Sequence, residues 1–205
     1  MTIAACDVSD RTAVQRLLAT LPGGPPLTAV VHTAGVVDDG VVDALTPERL
    51  ATVLRPKADA AVHLHELTRD SNLEAFIMFS SVAGAVGNPG QANYAAANAV
   101  LDALAQRRRA QGLAATSIAW GPWAGAGMAE GEIADGLARR GVSAMPADTA
   151  LAGFAAAAAS EDAGFVYADV DWDRFLGQEA AEAQAAVRRG HVRSHRGAAS
   201  RGARG

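Results

Sequence analysis

Lysine occurs once in the 205 residues, at Lys57, against seventeen arginines. The chain writes nearly all its positive charge as guanidinium, yet it keeps one compact ammonium, the cation whose pKa moves readily on burial. Downstream stand Ser80-Ser81 and Tyr94-Ala95-Ala96-Ala97-Asn98, with Ser81 thirteen residues before Tyr94 and Asn98 four after it. These residue types suit the reduction of a carbonyl. A tyrosine can give its proton to the oxygen if a nearby ammonium favours the phenolate. A serine hydroxyl can hydrogen-bond the same oxygen as charge develops there. Tyr94 and Asn98, four apart, share one face of a predicted helix.

The elements that must position these groups follow from the apolar pattern. Strand-like and helix-like runs alternate, which predicts an α/β fold with a parallel sheet. A short apolar run at 3–6 reads as the first strand. Ser9 or Asp10 caps a helix to about Leu21, where Pro22-Gly23-Gly24-Pro25-Pro26 stops it. Residues 27–32 form a largely apolar run, read as a strand covered on both faces. Thr46 caps a helical stretch over 47–69, in which Pro56 predicts a kink or a break. Strands are predicted at 73–79, 114–120 and 164–172, and helices at 94–110 and 147–160. Residues 82–92 read as a glycine-rich loop. The stretch 121–144 reads as a cover or a surface connection, holding a short helix over 130–140. Ser81 falls just past the C-terminal end of a strand, where ligands sit in open α/β sheets.

Bulk properties exclude other classes. Half of the residues are hydrophobic, enough for one domain's core. Net charge is −4, and residues 186–205 hold six arginines and no acid, so the body is more acidic than the whole. An acidic body does not suit nucleic acid, and the Arg/Gly/Ala-rich tail, 178–205, reads as disordered. Cys6 is the only cysteine, so no intrachain disulfide is possible, and a cytoplasmic protein is expected. No apolar run is long enough for a bilayer. His63 and His65 read as exposed helix residues without a metal-ligand set around them. Arg107-Arg108-Arg109 reads as a solvated helix end favoured by the helix dipole. Trp120 and Trp123 read as wall residues, and Cys6 as a small buried hydrophobe.

Six segments then carry a resemblance: Val30-Val31-His32-Thr33-Ala34-Gly35, Leu54-Arg55-Pro56-Lys57, Phe79-Ser80-Ser81-Val82-Ala83-Gly84, Gly90-Gln91-Ala92-Asn93-Tyr94-Ala95-Ala96-Ala97-Asn98, Trp120-Gly121-Pro122-Trp123 and Asp169-Val170-Asp171-Trp172. Over roughly 2–177 the chain resembles a ketoreductase domain of a modular type I polyketide synthase, a branch of the short-chain dehydrogenase/reductase family. In this branch the lysine and asparagine have exchanged the places they hold in typical family members, and the chain shows the exchanged form.

The resemblance implies a Rossmann-like doubly wound sheet and NADPH-dependent reduction of a 3-ketoacyl thioester carried on an acyl carrier protein. It implies Tyr94 as proton donor, Ser81 (with Ser80 as competitor) as donor to the carbonyl, and Lys57 as the ammonium that tunes the tyrosine and holds the nicotinamide ribose. Asn98 would complete the relay. Asp7, Ala34, Gly35, Gly121 and Pro122 would contact the cofactor. Val37-Asp38-Asp39 is similar to the Leu-Asp-Asp loop of B-type domains. With Pro89, Asn93 and the absence of tryptophan at Val86, this implies a D-configured hydroxyl.

Nothing in the sequence matches the Gly-x-Gly-x-x-Gly turn that lets backbone N–H groups reach a pyrophosphate. The resemblance places residues 3–6 at the family's third strand, so about two strands and two helices of the nucleotide half are expected to be missing. Three readings follow: an active reductase, a non-catalytic fragment or interaction module unable to hold cofactor alone, and a chain completed by a partner that supplies the N-terminal half.

Overall fold

The computed structural model describes residues 2–21, 26–125 and 131–188. Four parallel strands form the main sheet in the order β1 (Ala29–His32), β2 (Ala75–Ser81), β3 (Thr116–Trp120) and β5 (Gly164–Tyr167). Register aligns Val31 with Ile77, Ile77 with Thr116, and Ile118 with Phe165. A separate antiparallel pair joins β4 (Val142–Ser143) to β6 (Asp169–Val170). The helices are α1 (Arg11–Ala19), α2 (Pro47–Leu54), α3 (Ala60–Leu67), α4 (Val82–Val86), α5 (Ala92–Ala110), α6 (Glu132–Arg139), α7 (Ala147–Ala158) and α8 (Trp172–Arg188). No helix among the described residues is long and apolar enough to cross a membrane.

The two-residue period of β2 divides the core. Phe76 and Met78 point to one side and pack with Ala61 of α3 and with Leu101, Leu104 and Ala105 of α5. Ile77 and Phe79 point to the other, against Ile118, Trp120, Ala150 and Phe154. Phe76, Met78 and Ile118 are fully buried, each contributing about 1.5–3 kcal/mol of apolar burial.

Several expectations hold with trimmed ends. Asp10 caps α1 by accepting from the Thr12 N–H, and Thr46 caps α2 by accepting from that of Arg49. Pro56 divides the long helical stretch: a π-turn over Arg55–Asp59 separates α2 from α3, because proline has no N–H for the helical ladder. Residues 22–25, expected to stop the first helix, lie outside the described residues.

Other expectations are corrected. Residues 3–6 form no strand, and Ile3 is 86% exposed; an apolar run becomes a strand only where another strand accepts its hydrogen bonds, and none of the described ones does. Strand β1 is not covered on both faces. It lies at the edge of the sheet, with Val31 48% exposed. The predicted loop at 82–92 opens with α4, whose first turn the Ser81 hydroxyl caps. The last predicted strand is two, because the chain leaves the main sheet after Tyr167 and pairs Asp169–Val170 with β4. Helix α8 runs on to Arg188, past the point where periodicity fades in the sequence; residues 189–205, the bulk of the predicted tail, lie outside the described residues. Cys6 is half-buried rather than buried.

Candidate active site

A cavity of about 380 Å³ opens at the C-terminal ends of β1, β2 and β3. Lys57, Ser81 and Tyr94 line it together, although they come from the π-turn, the end of β2 and the start of α5. Gly35, Val37, Gln91, Gly121 and Pro122 complete much of its wall. The open α/β rule therefore holds for the chain as folded.

Lys57 owes its place to the π-turn, which carries it inward to 2% exposure. Its carbonyl accepts a hydrogen bond from His32 Nε2 at 2.9 Å, which pins the turn to the end of β1. Its Nζ donates to the Phe79 carbonyl at 3.0 Å and lies 5.3 Å from the centre of the Tyr94 ring. Burial pulls the ammonium down from 10.5 to about 8, with the carboxylate of Asp102 opposing. Burial also holds His32 below its ordinary value.

Tyr94 is buried at the N-terminal end of α5. Its N–H donates to Asn93 Oδ1 at 2.9 Å, and its carbonyl accepts from Asn98 Nδ2 at 2.8 Å. The helical spacing thus brings Asn98 to Tyr94, as expected. The electrostatics differ from expectation. Burial raises the phenol above its ordinary pKa, the Asn98 and Ser81 side chains pull it down, and the Asp39 charge raises it further. Desolvation, which disfavours the phenolate, outweighs any acidification by the ammonium in this arrangement. Asn98 is fully buried, and its Oδ1 has no hydrogen-bond partner.

The two serines differ. Ser81 lines the cavity, its Oγ accepting from the Ala83 N–H at 3.2 Å and its side chain hydrogen-bonding Tyr94. The Ser80 hydroxyl donates at 3.4 Å to the Asn98 carbonyl on α5. Behind them Phe79, Trp120 and Trp123 build an aromatic wall backed by Phe154 and Tyr167, with the two tryptophans edge to face at 5.1 Å.

Asp38 and Asp39 lie beside the cavity on a braced loop. Arg49 donates to both Asp38 carboxylate oxygens, at 2.6–3.1 Å, and to the Asp39 carbonyl at 2.7 Å. That pair holds Asp38 below the usual carboxylate range. Asn93 Nδ2 donates to the Asp38 carbonyl at 2.8 Å, tying the loop to the residue before Tyr94. Gly40 is a space requirement, since a Cβ there would meet Arg49 Nη1 at 2.7 Å. Pro89 and Val86 are exposed and do not line the cavity.

For a nicotinamide cofactor the residues fit at one end. Lys57, Gly35, Gly121 and Pro122 converge on one cavity, and Ala34 adjoins it. Gly121 also has a packing cause, because a Cβ there would come within 2.9 Å of the Ala168 Cβ. Asp7, expected at the adenine end, does not line this cavity, and its carboxylate accepts from the Ser9 N–H and hydroxyl at 2.9 and 2.7 Å.

Sequence reasoning missed Arg49, Asn88, Arg140, Ile133 and Leu137. Arg49 grips a loop eleven residues upstream, and Arg140 bonds Asn88 fifty-two residues away; no local period marks such pairs. Two further readings are corrected. His65 is buried rather than exposed, and Arg108 is 1% exposed rather than solvated. Arg108 Nη1 donates to His65 Nδ1 at 2.8 Å, its Nε donates to the Ala114 carbonyl at 3.0 Å, and its guanidinium stacks 3.9 Å over the Phe76 ring.

Comparison with known proteins matches this geometry to a family. A family model for the KR domain matches residues 1–125. The spectinabilin polyketide synthase system protein NorB of Streptomyces orinoci is 56% identical over 78% of this chain and 8% of that protein. The polyketide synthase GfsB of Streptomyces halstedii is 55% identical over 91% of this chain and 3% of that protein. Among solved structures, an A-type ketoreductase from a modular polyketide synthase superposes with a TM-score of 0.85 at 49% identity, covering 88% of this chain and 38% of that one. A C2-type ketoreductase superposes with a TM-score of 0.80 at 40% identity, covering 86% and 39%. The chain thus spans under a tenth of these curated relatives and about two fifths of these structures.

Proposed function

The chain belongs to the KR-domain family of modular type I polyketide synthases, and from that premise we propose that it takes part in NADPH-dependent reduction of a 3-ketoacyl thioester, presented by an acyl carrier protein, to the 3-hydroxyacyl thioester. One observation carries the reading: a lone buried lysine, a serine hydrogen-bonded to the tyrosine and that buried tyrosine line the same cavity at the ends of the strands. When bound, the cofactor supplies the hydride. The protein's share is to hold the keto oxygen between the Ser81 and Tyr94 hydroxyls, to pass the Tyr94 proton to that oxygen, and to receive the nicotinamide ribose at Lys57. Asn98, whose Oδ1 is unpartnered, stands one helical turn behind Tyr94 as the relay's next group. Trp120, Trp123 and Phe79 exclude water from the reacting carbon.

The D-configured product is proposed from the chain's own residues and not from its solved relatives, which include both A-type and C2-type domains. Val37-Asp38-Asp39 borders the cavity through Val37, and Val86 stands where an A-type domain carries tryptophan. Purified chain given NADPH and a 3-ketoacyl pantetheine thioester is expected to consume NADPH and yield the D-alcohol. Turnover unaffected by Tyr94→Phe would reject the assignment.

A second reading has its own observation. The sequence holds no Gly-x-Gly-x-x-Gly run, Asp7 is turned to Ser9, and among the described residues β1 exposes an edge and Val31. On this reading the chain alone is a non-catalytic module, or acts once a nucleotide-binding segment from another domain or chain pairs with β1. NADPH fluorescence titration of the chain alone separates the two: saturable binding rejects the second reading, and no binding rejects independent activity.

A further inference from the structure

Two walls flank the mouth of the cavity. One is the Asp38-Asp39 loop, which reaches the cavity through Val37; the other is α6, whose Ile133 and Leu137 line it. They come from stretches nearly a hundred residues apart, yet one file of side-chain hydrogen bonds joins them. Arg140, just past α6, donates from Nη1 to Asn88 Oδ1 at 2.9 Å, with its guanidinium 5.4 Å from the Phe175 ring centre. Asn88 Nδ2 donates to Gln91 Oε1 at 2.9 Å. Gln91 Nε2 donates to Asp39 Oδ2 at 2.9 Å. Every bond points the same way, from a guanidinium to a carboxylate, so each polarises the next. Gln91 is its hub, 5% exposed and itself part of the cavity wall. The loop end is further fixed by Arg49 on Asp38 and by the Gly40 N–H donating to the Gly90 carbonyl at 2.8 Å.

We propose that Gln91 is a positioning residue that locks the Asp38-Asp39 loop and the α6 cover into one unit, so that the walls selecting the incoming acyl chain move together rather than separately. The coupling stands on the hydrogen-bond file alone. Its consequence for acyl selection rests on the reductase reading given above. A loop and a cover that opened independently would admit a chain from either side. A joined pair leaves one entrance and one presentation of the keto group.

The direction of the file supplies the test. Gln91→Glu replaces the donor facing Asp39 with a second carboxylate and keeps the acceptor facing Asn88. Adding Asp39→Asn restores a donor–acceptor pair with its direction reversed. Amide hydrogen exchange of the full chain, without cofactor, is followed in 37–44, in 131–145, and in β3 as the reference. Gln91→Glu is expected to raise exchange about tenfold in both wall segments, leave β3 unchanged, and be reversed by the second substitution. Three results overturn the proposal: exchange rising in one wall only, a double variant no better protected than the single, or loss of protection in β3, which would make Gln91 a general folding residue. Because exchange needs no turnover, failure of the reductase reading would show in the NADPH assay while leaving this result intact.

Discussion

The two ends of α5, about 28 Å apart over nineteen residues, bury cations under opposite conditions. At the C-terminal end Arg108 is provided for, with His65 Nδ1 and the Ala114 carbonyl as acceptors, the Phe76 ring as a stacking surface, and the helix dipole favouring its charge. Beside it Arg109 donates to the Ala115 and Ser160 carbonyls. At the N-terminal end Lys57 has one carbonyl acceptor and a pKa drawn down to about 8. Tyr94 is pushed up, and Asn98 Oδ1 is unpartnered. The same helix therefore has a satisfied end and an unsatisfied one. Buried polar groups left short of partners mark the place where a fold gives up stability for chemistry.

The largest expected effect lies at the unsatisfied end. Tyr94→Phe removes one hydroxyl and should lower kcat/KM by about 10²- to 10⁴-fold while leaving the urea midpoint nearly unchanged. A midpoint that falls in step with activity would make Tyr94 a packing residue and erase the contrast. Next comes the satisfied end. Arg108→Met strands the Ala114 carbonyl and strips His65 of its partner, and should cost about 2–4 kcal/mol in urea unfolding without altering KM per folded molecule.

The pH dependence sharpens the comparison from both sides. Lys57 has a folded-state pKa of about 8 against its ordinary 10.5. Between pH 8 and 10 the unfolded chain therefore binds more protons, and stability climbs with pH. The folded tyrosine, raised above 10, works against stability only beyond that window. Burying the charged lysine costs about 3 kcal/mol at neutral pH, and Lys57→Met should flatten the alkaline climb in urea titrations repeated across pH. The smallest effect belongs to His65, which burial and then the Arg108 charge hold below 6.5. The unfolded chain takes up that proton first, so stability falls as pH drops through 6.5. His65→Asn keeps an acceptor for Arg108 and should reduce the acid slope, with His32 supplying a further part.

The same contrast explains what was legible in the sequence. Lys57, Ser81, Tyr94 and Asn98 stood out because an isolated residue type and a four-residue helical spacing are one-dimensional signals, and the structure brings these residues together. Pro56 announced the break in its helix for the same reason, since a missing N–H is a property of one residue. Arg108 read as solvent-facing because nothing local says that Phe76 and His65, thirty-two and forty-three residues away, will fold over it. The file from Arg140 to Asp39 was hidden likewise, being assembled from three separate stretches. Strand β1 read as covered on both faces because apolar content records what a strand can bury, not which neighbours it finds. The sign of the Tyr94 shift was misjudged because the ammonium was counted and desolvation was not.

One comparison decides whether α5 joins a satisfied end to an unsatisfied one: urea unfolding at pH 7 of Lys57→Met and Arg108→Met, two replacements of a buried cation by the same thioether. Relief of lysine desolvation, less the loss of the donor to the Phe79 carbonyl, predicts that Lys57→Met is more stable than the parent by about 1–2 kcal/mol, and loss of the arginine's partners predicts that Arg108→Met is less stable. Two variants destabilised to the same degree would contradict the account.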